Sequence, residues 1–158
     1  MEATMVRIIG QFTMQTRLYR NALEGIEDGW NRRLNEQVNH LAWIAGHLVS
    51  SRYMLCQMTG LEINEPFPEK FAQGKAIEDG DYPSLRKQIE AWGEVSAMLE
   101  AHLPELTADE LDRDAPFAVP MGKTVGDAIA FFAHHESYHI GQMGLLRKYL
   151  LNDAMSYR

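Results

Sequence analysis

The last long segment restricts the fold most. From Thr124-Val-Gly-Asp127 to about Leu151, the residues Val125, Ala128, Ile129, Phe132, His135, His139, Met143, Leu146 and Leu150 recur at the i, i+3, i+4, i+7 spacing of one helical face. A stripe of that length has to be buried against other elements. Three earlier stretches carry the same period. Between Ala3 and Ile26, Ile8, Ile9, Phe12, Tyr19, Ala22, Leu23 and Ile26 share one side while Arg17, Arg20 and Glu24 take the other, before Glu27-Asp28-Gly29 breaks the pattern. A second helix is predicted from about Asn35 to Met58, ending at Thr59-Gly60; apolar residues surround much of it, which predicts burial against several neighbours or a second subunit. A third opens at Tyr82-Pro83-Ser84, points Leu85, Ile89, Trp92, Val95, Ser96 and Leu99 inward, and stops at Pro104.

Four long helices and no convincing strand predict an all-α four-helix bundle, with residues 1–158 forming one domain. Leu61 to Tyr82, with Pro66, Pro68, Gly74 and Gly80, has no sustained period and is expected to be a long crossover between the second and third helices. Thr107-Ala-Asp-Glu110 has the form of a capping box for one short turn, and Ala115 to Gly122 is expected to be extended or looped.

Charge and cysteine content narrow the chemistry. The 15 Lys and Arg residues against 22 Asp and Glu give a net charge of −7, and the basic residues are scattered, which argues against a nucleic-acid partner. No run approaches the ~18 apolar residues of a membrane span, and Met1 to Gly29 lacks the parts of a signal peptide, so a cytoplasmic location is expected. A chain of 158 residues buries enough surface to fold without a metal staple. Cys56 is the single cysteine, which excludes a disulfide framework and a cysteine-based metal site. Any metal therefore sits on His, Asp or Glu.

His135 and His139 are one turn apart on the inward stripe and can chelate one ion. His47 lies in the apolar run Leu41-Ala-Trp-Ile-Ala-Gly-His-Leu-Val49, where an unpaired polar ring would be costly. If the second and last helices pack together, His47 completes a three-histidine site with positions left for water or substrate. His40, two turns earlier, is the rival third ligand or a partner of one, ranked lower because it lies at the polar start of the helix. His134, about 100° around the helix from His135, and His102, at a helix C-terminus, are read as ordinary surface or capping residues.

His135-Glu136-Ser-Tyr-His139 also spells H-E-x-x-H, the metallopeptidase pattern of two zinc ligands and a general base. Only 19 residues follow His139, with Asp153 as their one acid, and Gln142 and Leu145 stand where the metzincin extension needs Gly and His. The peptidase reading thus loses its third ligand. Glu136 is the candidate catalytic residue, as general base or as an acceptor that fixes a ligand imidazole; otherwise it is a solvated or salt-bridged helix residue. Cys56, half a turn from His47 in projection, faces away from the site. Gly46 and Gly141 are expected to let the two site helices approach closely.

His135-Glu136-Ser-Tyr-His139-Ile-Gly141-Gln142, followed by Leu145-Leu-Arg147, resembles the final-helix signature of the DinB-like superfamily, helical bundle proteins related to DNA-damage-inducible and thiol-transferase proteins. Asn39-His-Leu-Ala-Trp43-Ile-Ala-Gly46-His47-Leu48 and the Tyr82-Pro83-Ser84 opening of the third helix support the resemblance, which covers nearly the whole chain. It implies a four-helix bundle with a long crossover, a homodimer, and His47, His135 and His139 as ligands of a divalent metal such as zinc or nickel. It further implies thiol-dependent transfer, isomerisation or hydrolysis of a small-molecule substrate, with a low-molecular-weight thiol as co-reactant. The alternative within the same resemblance is a non-enzymatic, stress-related metal-binding protein. The damage-inducible label is taken to describe expression, in keeping with the acidic balance.

Overall fold

Helix α1 spans Ala3–Leu23 and buries Phe12, Gln15, Leu18, Tyr19, Ala22 and Leu23, leaving Arg17 and Arg20 exposed. It ends three residues before the predicted Ile26 because Gly25 takes a φ of +74°, which turns the chain out of the helix. These observations come from a computed structural model, which describes residues 3–68, 70–71 and 81–157. The middle of the Leu61 to Tyr82 crossover, including Gly74 and Gly80, lies outside the described residues.

Helix α2 spans Leu41–Met58, starting six residues later than the pattern predicts. Asn35 diverts the chain: its Oδ1 accepts from Gln37 N–H at 2.9 Å and its carbonyl accepts from Val38 N–H at 3.2 Å, a local turn that competes with helix. His40 then caps the helix, its Nδ1 accepting from Trp43 N–H at 3.1 Å. Within α2 only His47, Met54 and Gln57 escape full burial.

Helix α3, Leu85–His102, is capped by Ser84, whose hydroxyl accepts from Lys87 N–H. A 3₁₀ turn at Leu103–Glu105 carries Pro104, and Thr107 and Glu110 form the predicted capping box of α4, Ala108–Asp112. The next segment corrects the expectation of no strand: β1, Asp114–Val119, pairs antiparallel with β2, Gly122–Thr124. Short length and Pro116 hid this hairpin from periodicity, yet a two-stranded ribbon pairs each strand along one edge only and so tolerates proline. Gly122 turns the chain with a φ of +155°, and an added Cβ there would lie 2.1 Å from Asp127 Oδ2. That carboxylate accepts from Lys123 and Thr124 N–H at 3.0 Å each, so the hairpin and the start of the last helix, α5 (Val125–Leu151), are built as one unit.

The long helices pack in a ring, α1 against α3 and α5, and α2 against α3 and α5. One apolar cluster draws on all four, with Ile26, Phe71, Leu103 and Val119 added from the connections. Arg52 of α2 lies at its centre. Its Nε and Nη2 donate to the two carboxylate oxygens of Glu136 on α5, its Nη1 donates to Thr16 Oγ1 on α1 at 2.8 Å and Ser96 Oγ on α3 at 2.6 Å, and its guanidinium stacks 3.6 Å from the ring centroid of Trp92. The chain is thus mostly helical, with five α-helices and a small hairpin among the described residues.

Candidate metal centre

The deep stripe of α5 runs through Phe132, Ala133, Glu136, Ile140 and Met143. His135 and His139 lie at its edge, half-buried, on the side that meets α2. The helix packs against both α1 and α2, so its buried face is wider than a single stripe. Glu136, about 100° round from His135, points into the core.

His47 reaches the same place from α2. Its ring stacks on Trp43, one turn earlier, with centroids 4.7 Å apart and planes 9° from parallel. Its Nδ1–H donates to the Phe71 carbonyl at 3.1 Å, which leaves the Nε2 lone pair for a ligand role. Gly46 makes that possible, since a Cβ there would lie 2.1 Å from Phe71 Cζ. The expected use of Gly46 and Gly141 is corrected accordingly: Gly46 receives the Phe71 ring from the crossover, and Gly141 has no atom within 4 Å of an added Cβ.

The three imidazoles converge. Ring centroids are 5.0 Å apart for His47 and His135, 4.9 Å for His47 and His139, and 4.5 Å for His135 and His139. One ligand nitrogen from each lies within 4.8 Å of the others, and Nε2 of His47 is 3.1 Å from Nε2 of His135. Two nitrogens held by one tetrahedral zinc lie ~3.3 Å apart, so this pair is already near the bite of an ion. His139 Nδ1–H donates to Gln142 Oε1 at 2.7 Å, and Gln142 Nε2 donates to the Tyr138 hydroxyl at 3.1 Å. A second Nε2 lone pair is thereby fixed.

Burial holds all three rings neutral. It lowers His47 below its ordinary value against the pull of the Phe71 carbonyl. It takes His135 down to about 3, with His139, His47 and His134 adding repulsion, and His139 to about 4, with His47 adding repulsion. Neutral imidazole is the form that binds metal, so the residues present fit a divalent ion.

The triad lies on the wall of a cavity of about 660 Å³. Trp43, Phe71, Phe117, Phe131, Phe132 and Tyr138 give it aromatic sides, and Ser50, Ser51, Glu65 and Gln142 supply polar groups. Three protein ligands beside a cavity leave coordination positions open to a small molecule.

The other nominated residues lie elsewhere. Glu136 is fully buried, gives both carboxylate oxygens to Arg52, and does not line the cavity. Burial pushes its carboxyl up and the guanidinium opposes that. His40 is buried at the α2 N-terminus beside Tyr82 and outside the triad. His134 is exposed, and His102 bonds the Thr59 carbonyl through Nε2 at 3.1 Å. Cys56 is buried in the core, and burial pushes its thiol up to about 12.

Sequence reasoning missed Arg52, Glu65 and Phe71. A lone arginine amid the apolar residues of α2 signals a buried counter-charge, while nothing in the crossover's composition marks Glu65 or Phe71. A family model described as the DinB superfamily matches residues 11–143, a span that contains all three histidines. No curated protein matches the chain.

Proposed function

The chain belongs to the DinB superfamily, and from that premise we propose that it is a divalent-metal-dependent enzyme acting on a small molecule in the cavity beside His47, His135 and His139. One observation carries the reading: three neutral imidazoles from two helices converge within 4.8 Å at the wall of a cavity, two of them with the ligand nitrogen fixed by a bond at Nδ1. A bound ion would polarise a carbonyl or lower the pKa of a water or thiol. The protein's own part is to hold the ligand nitrogens in place and surround the substrate with aromatic walls that exclude water.

Zinc or nickel suits an all-imidazole site, and a low-molecular-weight thiol as co-reactant, for transfer, isomerisation or hydrolysis, follows from the family. The four-helix bundle with its crossover and the single domain over residues 1–158 fit the ring of long helices. No described helix is long and apolar enough to cross a membrane, and we keep a cytoplasmic location in the proposal. A homodimer also remains proposed, with Tyr138, Leu145 and Tyr149 exposed on α5 as its apolar material; sedimentation tests it.

Glu136 is read as a core residue rather than a base, because Arg52 occupies both of its oxygens. The peptidase reading loses its base by the same contact. Metal analysis of protein loaded with zinc or nickel and then desalted tests the site. One ion per chain is expected, with uptake lost in His47→Ala and His139→Ala and kept in His40→Ala. Uptake unchanged in the first two variants would sink the assignment.

A further inference from the structure

The cavity holds an acidic side chain that the proposed metal site does not use. Glu65 lines it from the segment after α2. That segment is anchored, with Leu61 N–H donating to the Cys56 carbonyl at 3.0 Å and the Gln57 amide donating to the Ile63 carbonyl at 2.9 Å. Ser50 Oγ donates to Glu65 Oε1. Ser50 follows His47 by three residues on α2, ~4.5 Å along the helix axis, so the carboxylate is tethered about one turn from the triad.

The charge pattern of the cavity is one-sided. Among the described residues no Lys or Arg lines it, Glu65 is its one acid, and the remaining polar side chains beyond the histidines and the Trp43 indole are amides and hydroxyls. Ser50 satisfies one carboxylate oxygen and leaves acceptor capacity on the other. A half-buried carboxylate gains most from a hydrogen-bond donor or a cation, and it repels a second anion more strongly than it would in water. The aromatic rings beside it suit an apolar body and an ammonium equally.

Resting on the metal reading above, we propose that Glu65 selects the substrate class: a small molecule with one metal-binding donor, an apolar body and an amine or hydroxyl at the Glu65 end, to the exclusion of compounds with a carboxylate there. Burial supports the assignment by raising the Glu65 carboxyl above its ordinary value while Ser50 opposes the rise, the behaviour of a carboxylate with no cation against it among the described residues.

Cobalt-loaded protein and three thiols of matched length provide the test: 2-aminoethanethiol, 2-mercaptoethanol and 3-mercaptopropionate. Thiolate-to-cobalt absorption reads binding without any turnover. In the unaltered protein the carboxylate thiol is expected to bind about tenfold more weakly than the amine thiol. Glu65→Gln should narrow that gap to about threefold or less by strengthening the carboxylate thiol, and Glu65→Asp, which keeps the charge, should retain the order. Equal binding of the three thiols to the unaltered protein overturns the proposal, as does a ranking that Glu65→Gln leaves intact. Cobalt uptake is measured before any thiol is added; its absence overturns the metal reading and this inference with it, whereas normal uptake with unselective thiol binding overturns the inference alone.

Discussion

Arg52 and Glu136 place opposite charges in the centre of the core, both at 0% side-chain exposure, with each polar end matched. Taking such a pair out of water is costly, and removing one partner leaves the other charge stranded. Glu136→Gln is therefore expected to destabilise the fold by roughly 3–5 kcal/mol, read from urea denaturation, while chelator competition shows metal affinity within a fewfold of the unaltered protein. Joint replacement, Arg52→Met with Glu136→Leu, should recover most of the loss. A Glu136→Gln variant of full stability that had lost activity alone would instead restore Glu136 as a catalytic base.

The histidines make a second prediction at this scale. His135 and His139 stand at about 3 and about 4 in the metal-free fold, below the ordinary value of 6.5. The unfolded chain therefore takes up protons that the folded chain refuses as the pH drops below about 6.5. Their contribution to stability is complete above that pH and is lost as the pH falls, toward about 4 for His139 and about 3 for His135. The urea midpoint of chelator-treated protein should decline from pH 7 to pH 4.5, and His139→Phe should make the decline shallower. A midpoint independent of pH over that range would contradict the burial assigned to these rings.

Among the elements, the crossover positions His47 through Phe71. Phe71 lies on the bare backbone of Gly46, and its carbonyl fixes the His47 ring. Gly46→Ala forces the Phe71 ring away. The expected costs are about 1–3 kcal/mol from overpacking and roughly 10–100-fold in metal affinity from the lost acceptor. Gly141→Ala is the control, since an exposed glycine inside α5 meets nothing; it should add roughly 0.5–1 kcal/mol. Equal metal affinities in the two variants would disconnect the crossover from the site.

For the whole molecule, the four long helices share one apolar cluster and one Arg52 network, neither of which includes His47, His135 or His139. The fold is thus expected to persist without an ion. Chelator-treated protein should keep its helical circular dichroism and a single cooperative melt, with the metal raising Tm only as mass action requires. A chelated chain unfolded at 25 °C would make the ion structural and favour the non-enzymatic alternative.

Much of the architecture follows from the chain alone, because helical period, capping residues and breakers act within a few residues of one another. The stripes of α1, α3 and α5, the Ser84 cap and the two capping boxes at Thr107 and Thr124 are of this kind. So is the pairing of His135 with His139, one helical turn apart. The late start of α2 and the hairpin at Asp114–Thr124 were less legible, as a side-chain turn at Asn35 and a bulged pair of short strands leave no period. The direction in which a helix face is buried is set by how many neighbours surround it, which no local pattern records. Only packing decided that Glu136 goes to Arg52 rather than to the histidines, that Gly46 admits a ring instead of a helix, and that Glu65, 18 positions after His47 in the chain, joins the same cavity.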